Sequence, residues 1–163
     1  MSASPSFGGL LHGLELRVPP VALGIAIAAA MWLARPSLDD LLAGSLLRRL
    51  AAALLFAAGL TFVVAGVRAF RRARTTVNPM TPGATSSLVV DGIYHRTRNP
   101  MYVGFAAMLL GWAVALAAPA ASLGPAVFVA WITRFQILPE ERMLAVAFGD
   151  EFAAYRQRVR RWL

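Results

Sequence analysis

The stretch LAAALLFAAGLTFVVAGV, Leu50 to Val67, runs for eighteen residues without a charge between Arg48-Arg49 and Arg68. A helix that crosses a bilayer needs roughly 17–25 predominantly apolar residues, so this run reads as a spanning helix. Three further runs repeat it: Val18 to Ala34 with seventeen residues, Met101 to Ala118 with eighteen, and Leu123 to Leu138, broken only by Arg134. Helices of a soluble bundle would carry polar residues every three or four positions, yet Ala51–Phe56 and Phe105–Leu110 carry none. The sequence therefore predicts an all-α integral membrane protein, a single membrane domain over residues 1–163. Its transmembrane helices are expected at 18–34, 50–67, 101–118 and 123–138, with a loop at 75–100 and an amphipathic C-terminal helix at 140–162.

Composition agrees. The chain has 163 residues, 58% hydrophobic and 15% charged, against about 45–50% and about 25% in soluble domains. That apolar content excludes disorder. Cysteine is absent, which excludes a disulfide framework, a cysteine zinc site and a cysteine nucleophile. With His12 and His95 the only histidines, no metal site is expected. All sixteen basic residues are arginines, against eight acidic residues. Juxtamembrane arginines attract anionic headgroups at about 1 kcal/mol each, and the partner they imply is the lipid bilayer. No aromatics interleave them in the manner of a nucleic-acid surface, so no nucleic acid is expected.

The arginines also set an orientation. The segment between the second and third runs holds Arg68, Arg71, Arg72, Arg74, Arg96 and Arg98, and the tail holds Arg142, Arg156, Arg158, Arg160 and Arg161. Pro119 to Ser122, between the third and fourth runs, holds no charge. The positive-inside rule then places the long loop and both termini in the cytoplasm. A multi-pass protein of a prokaryotic cytoplasmic membrane is the expected location. One arginine ahead of the first run is thin for a cleaved leader, and none is expected.

Local punctuation marks the helix ends. Pro100 suits a first helical turn with Asn99 as its cap. Pro119 ends the third run, Ser122 can cap the fourth, and the short link makes the two an antiparallel hairpin. Pro139 should break or kink the chain as it leaves the bilayer. Beyond it, Leu144, Phe148, Phe152, Tyr155, Val159 and Trp162 form one apolar stripe, either interfacial or folded back on the bundle. Gly149-Asp150 should interrupt that helix, with Gly as stop and Asp as the next cap. Alanine and glycine in the runs permit close helix packing.

Polar residues concentrate in two stretches, Asn78 to Tyr102 and Arg134 to Trp162. The first is long for a loop, and such loops are functional or disordered. Thr81-Pro82-Gly83 reads as a turn, and Leu88-Val89-Val90 as a short extended piece before Asp91-Gly92. Tyr94 and Tyr102 are either interface aromatics or part of a site. Arg134 either snorkels to the headgroups or serves a buried function. Glu140 and Glu141, after Pro139, complement a helix dipole, which accounts for one of them but not readily for both.

Together these motifs resemble a known family. Tyr94-His95-Arg96-Thr97-Arg98-Asn99-Pro100-Met101-Tyr102-Val103-Gly104, then Glu140-Glu141, then Phe148-Gly149-Asp150-Glu151-Phe152 and Tyr155, are similar to the isoprenylcysteine carboxyl methyltransferases and the related phospholipid methyltransferases. The resemblance covers roughly Ser86 to Trp162. It implies a membrane enzyme that takes S-adenosylmethionine from the cytoplasm and a lipophilic acceptor from the bilayer. It assigns cofactor contacts to Ser87, Leu88, Val89, Val90, Tyr94, Asn99, Pro100, Met101, Tyr102 and Glu140. Asn99 stands where the family has histidine, and Gln136 where it has a substrate-side arginine. Arg134, two residues away on another helix face, is the other candidate for positioning the substrate.

Methyl transfer from a sulfonium asks chiefly for alignment within about 3–3.5 Å and a dry site, and the polar stretches abut the bilayer. An acceptor carboxylate arrives deprotonated, whereas an amine or thiol needs a base. A membrane reductase using NADPH, of similar C-terminal arrangement, is the alternative enzyme, and a non-enzymatic membrane scaffold is the third reading.

Overall fold

The computed structural model describes residues 14–34, 45–73 and 87–163. Among them the chain is helical: α1 (Pro20–Leu33), α2 (Leu46–Arg72), a 3-10 turn (Gly92–His95), α3 (Pro100–Leu116), a second 3-10 turn (Pro119–Ser122), α4 (Leu123–Ile132), a π-helical turn (Thr133–Ile137) and α5 (Leu138–Arg158). The turn expected at Thr81–Gly83, with the loop's residues 75–86, lies outside the described residues.

Two of these helices are long and apolar enough to cross a membrane: α2, and the continuous run from Pro119 to Arg158. The first and third apolar runs form shorter helices than their length implied. At 1.5 Å per residue α1 extends about 21 Å and α3 about 25 Å, against a hydrocarbon core of about 30 Å. Proline sets the limits. Pro19 and Pro20 start α1 late, and Pro119 holds Ala118 extended, with φ −100° and ψ 124°. Ala117, in the left-handed conformation at φ 52°, closes α3 by donating its N–H to the Ala113 carbonyl.

Helices α2 and α3 are antiparallel and meet through their smallest residues. Ala52, Gly59 and Gly66 recur every seven positions on α2 and are buried. Gly104 and Gly111 face them from α3. A Cβ added to Gly59 would lie 2.5 Å from the Gly104 carbonyl oxygen, and one on Gly104 would lie 2.5 Å from that of Gly59. Backbones this close gain dispersion contacts without needing a hydrophobic drive, which lipid does not supply between helices. The rest of α2 is largely exposed and apolar, including Leu50, Leu54, Phe56 and Leu60.

A first core joins α1, α3 and α4. Phe128, Leu116, Ile132 and Ile137 are almost fully buried there. Trp32 stacks on Trp112 at 5.7 Å, and the Trp112 indole donates to the Ala28 carbonyl at 3.1 Å. A second core lies at one end of α2. There Ala69 and Phe70 pack with Val89 and Tyr94 from the loop, and with Phe152, Tyr155 and Val159 from α5 and the tail. The tail stripe thus folds back on the bundle. Gly149, at φ 45° and ψ −120°, breaks α5 as expected, in a conformation that glycine alone tolerates well.

Two expectations about helix ends fail, and of the break or kink expected at Pro139 the break does not occur. Asn99 does not cap α3, because its side-chain amide donates to the Arg161 carbonyl at 3.0 Å. Ser122 does not cap α4, because its hydroxyl turns back to the Pro119 carbonyl at 2.6 Å. Pro139 does not break the chain. It follows directly on the π-helical turn, in which the Leu138 N–H reaches five residues back to the Thr133 carbonyl. The wider turn relieves the clash that a proline ring has with the carbonyl four residues before it.

Candidate functional site

The site is built where α3 begins and α5 begins, next to the second core. Pro100 opens α3 with its fixed φ. The same first turn aims Tyr102 across to α5, where its hydroxyl donates to Glu140 Oε1 at 2.9 Å. Gln136, in the π-helical turn, donates its side-chain amide to the same oxygen at 2.7 Å. Tyr102 and Gln136 are buried, Gln136 to 2% exposure. Glu140 is thus held by two neutral donors, both on one oxygen, and no described residue donates to Oε2.

Glu141, its neighbour in sequence, has the opposite surroundings. Its Oε1 accepts from Arg98 at 2.8 Å and from Arg161 Nε at 3.0 Å, and its Oε2 from a terminal nitrogen of Arg161 at 2.8 Å. Arg98 also donates to the carbonyls of Arg156 and Val159, at 3.1 and 2.9 Å. The backbone completes the join. The Arg98 N–H donates to the Arg160 carbonyl at 2.9 Å, and the Thr97 hydroxyl to the Arg161 carbonyl at 3.2 Å. The hydrogen bonds to Glu141 raise Arg161 above the usual arginine range, against the opposing effect of burial. This clamp fastens the tail over the loop that leads into α3.

Tyr94 lies beside the Tyr102–Gln136–Glu140 group. Burial first, then Tyr155, then Glu140, push its phenol well above the usual tyrosine range, so it stays neutral. Its ring meets Phe70 edge-on at 5.6 Å, and its carbonyl accepts from the Tyr155 hydroxyl at 2.8 Å. Leu88, Val89 and Val90 pack in the same core. The Ser87 hydroxyl is buried and has no partner among the described residues. Met101 turns instead toward α2, with its Cγ against Gly66. Arg134 is paired with Glu15 at 2.6 Å and lies over the Phe135 ring at 5.2 Å.

Of the residues singled out in the sequence, the structure thus gathers Tyr94, Tyr102, Gln136 and Glu140, and turns Arg134 and Met101 elsewhere. The clamp residues Arg98, Glu141 and Arg161 were not anticipated, nor was Glu15. The available signal was the second glutamate, which a helix dipole alone does not explain. Among the described residues no cluster of metal-binding side chains is present.

A groove of about 440 Å³ lies between α3 and α4, lined by Val103, Ala106, Leu110, Pro125, Val129 and Trp162 among others. It is almost wholly apolar, and the Trp162 indole, which forms part of its wall, donates to Thr133 at 3.3 Å. Ala106 follows Tyr102 by one helical turn, so groove and polar group share one face of α3.

An uncharacterized protein of Haemophilus influenzae is 44% identical over 63 residues, which are 39% of this chain and 100% of that relative. No solved structure matches. The family model of phospholipid methyltransferase matches residues 47–151, a range that contains Arg98, Tyr102, Gln136 and both glutamates. The chain belongs to the phospholipid methyltransferase family, membrane-associated enzymes of methyl transfer.

Proposed function

We propose that the chain transfers the methyl group of S-adenosylmethionine to a lipophilic acceptor lying in the bilayer. The observation that carries this reading is the unequal treatment of two adjacent carboxylates. Glu141 is saturated by cations, whereas Glu140 is oriented by neutral donors with one oxygen left to accept. That oxygen fits a hydroxyl or ammonium group of the cofactor, and the unpartnered Ser87 hydroxyl fits a second polar group. Bound there, S-adenosylmethionine supplies a methyl group on a positively charged sulfur, open to direct displacement.

The chain's own residues bind, align and exclude water. Tyr102 and Gln136 fix the Glu140 carboxylate before any ligand arrives, which lowers the ordering cost of binding. Tyr94, neutral and buried, walls the site without adding charge. Asn99 cannot take a proton, and its amide is engaged by the tail. An acceptor that arrives deprotonated, such as a carboxylate, therefore needs nothing from it, while an amine or thiol must lose its proton elsewhere. The groove along α3 and α4 fits the acceptor's hydrocarbon part, and family membership favours methyl transfer over NADPH-dependent reduction.

The same reading places the site at the cytoplasmic face. Arg68, Arg71, Arg72, Arg96, Arg156, Arg158 and Arg160 are exposed around the second core, consistent with the positive-inside rule. On this reading the shorter helices α1 and α3 cross a locally thinned bilayer beside α2 and the run that begins at Pro119, giving four spans.

Calorimetry with S-adenosylhomocysteine, the demethylated product, tests the cofactor. Glu140→Gln replaces a carboxylate acceptor by an amide, a loss of about 1.5–3 kcal/mol for a hydrogen bond that is charge-assisted in the complex, so affinity should fall roughly 10- to 100-fold. A wild-type protein that binds neither this ligand nor S-adenosylmethionine would contradict the reading.

A further inference from the structure

We infer that Glu15 and Leu16 form a splint across the π-helical turn, and that this splint sets Gln136 on Glu140. Pro139 has no N–H, so the carbonyl of Phe135, four residues earlier, loses its ordinary helical donor. The Leu16 N–H fills that place at 3.0 Å. Beside it, the Glu15 carboxylate takes Arg134 at 2.6 Å with one oxygen and Arg142 with the other. These two arginines stand on either side of Pro139, so one carboxylate ties together both flanks of the turn. The Glu15 side chain is 12% exposed, which strengthens both pairs relative to surface ones.

Backbone strain points the same way. Leu16 has φ 57°, a left-handed conformation that is uncommon outside glycine and asparagine. Such strain persists only where surrounding contacts over-determine it, and here the contacts are those of the splint. Gln136 lies inside the braced turn. Without the splint, the Phe135 carbonyl loses its donor and two arginines lose their carboxylate. The turn then relaxes and carries Gln136 away from Glu140. The segment precedes residue 47, where the family match begins, so this brace is added to the shared catalytic part from outside it. Glu15 is a positioning residue, and its effect on methyl transfer rests on the function proposed above.

The test reads Gln136 directly. The chain has two glutamines, Gln136 and the exposed Gln157, so glutamine-selective 15N labelling of the full chain in micelles gives two side-chain amide pairs, assigned with Gln157→Ala. Glu15→Gln should move the Gln136 pair toward the position of Gln157 and weaken S-adenosylhomocysteine binding about tenfold. Glu15→Asp should restore part of both. Should Glu15→Gln not fold, Arg142→Ala, which cuts half of the bridge at an exposed position, should move the same pair partway. An unmoved Gln136 pair in a folded Glu15 or Arg142 variant overturns the splint. If the wild type binds no S-adenosylhomocysteine, the functional reading fails while the amide shift still decides the splint.

Discussion

Glu141→Ala is expected to release the C-terminal tail and to cost the fold about 3–5 kcal/mol, the effect of removing one partner from a buried ion pair. The side chains of Arg98 and Glu141 are each 9% exposed, so neither is much relieved by water. Loss of the carboxylate leaves the Arg98 guanidinium buried with only the carbonyls of Arg156 and Val159. Arg161, 32% exposed, can swing outward, and Trp162 leaves the groove with it. Thermal unfolding in detergent should show a lower midpoint, and limited proteolysis should cut the chain after α5. Glu140→Gln provides the contrast. Its neutral donors keep their partner oxygen, so stability should hold while ligand affinity falls.

The second large effect is at the α2–α3 contact. Gly59→Ala places a methyl group 2.5 Å from the Gly104 carbonyl oxygen and 2.7 Å from Met108 Cγ. The methionine can turn aside, but the opposing backbone cannot, so the helices must separate along their whole contact. Overpacking of this kind costs about 1–3 kcal/mol, and here the close approach of Gly104 and Gly111 is lost with it. Gly24→Ala on α1 is the control, since its added carbon would meet nothing closer than Phe128 at 3.9 Å. Alanine there should be neutral or slightly stabilising, as it has the higher helix propensity. Thermal midpoints of the two variants in the same detergent decide the matter.

Much of this architecture is legible in the sequence, for identifiable reasons. Charge-free runs of seventeen and eighteen residues give helices, the arrangement in which an apolar segment satisfies its backbone groups within itself. The stripe from Leu144 to Val159 packs as its periodicity requires, and Gly149 interrupts it. What the sequence hides is set by distant contacts. Asn99 reads locally as a cap, but a carbonyl 62 residues later claims its amide. Pro139 reads as a break or a kink, but the helix runs on through it behind a π-helical turn, and the Leu16 N–H arrives from the other end of the chain. The candidate site divides likewise. Tyr102 and Glu140 follow from the motif, and the neutral pairing of one glutamate beside the cationic pairing of the next appears only in three dimensions.

The most direct test of methyl transfer follows the methyl group itself. Purified protein in nanodiscs, given methyl-labelled S-adenosylmethionine and a membrane lipid extract, should place label in an organic-soluble product, and Glu140→Gln should reduce that label by at least the roughly tenfold expected from weakened binding. Folded wild-type protein that transfers no label to the extract, or labels only water-soluble compounds, would contradict a methyltransferase acting on an acceptor in the bilayer.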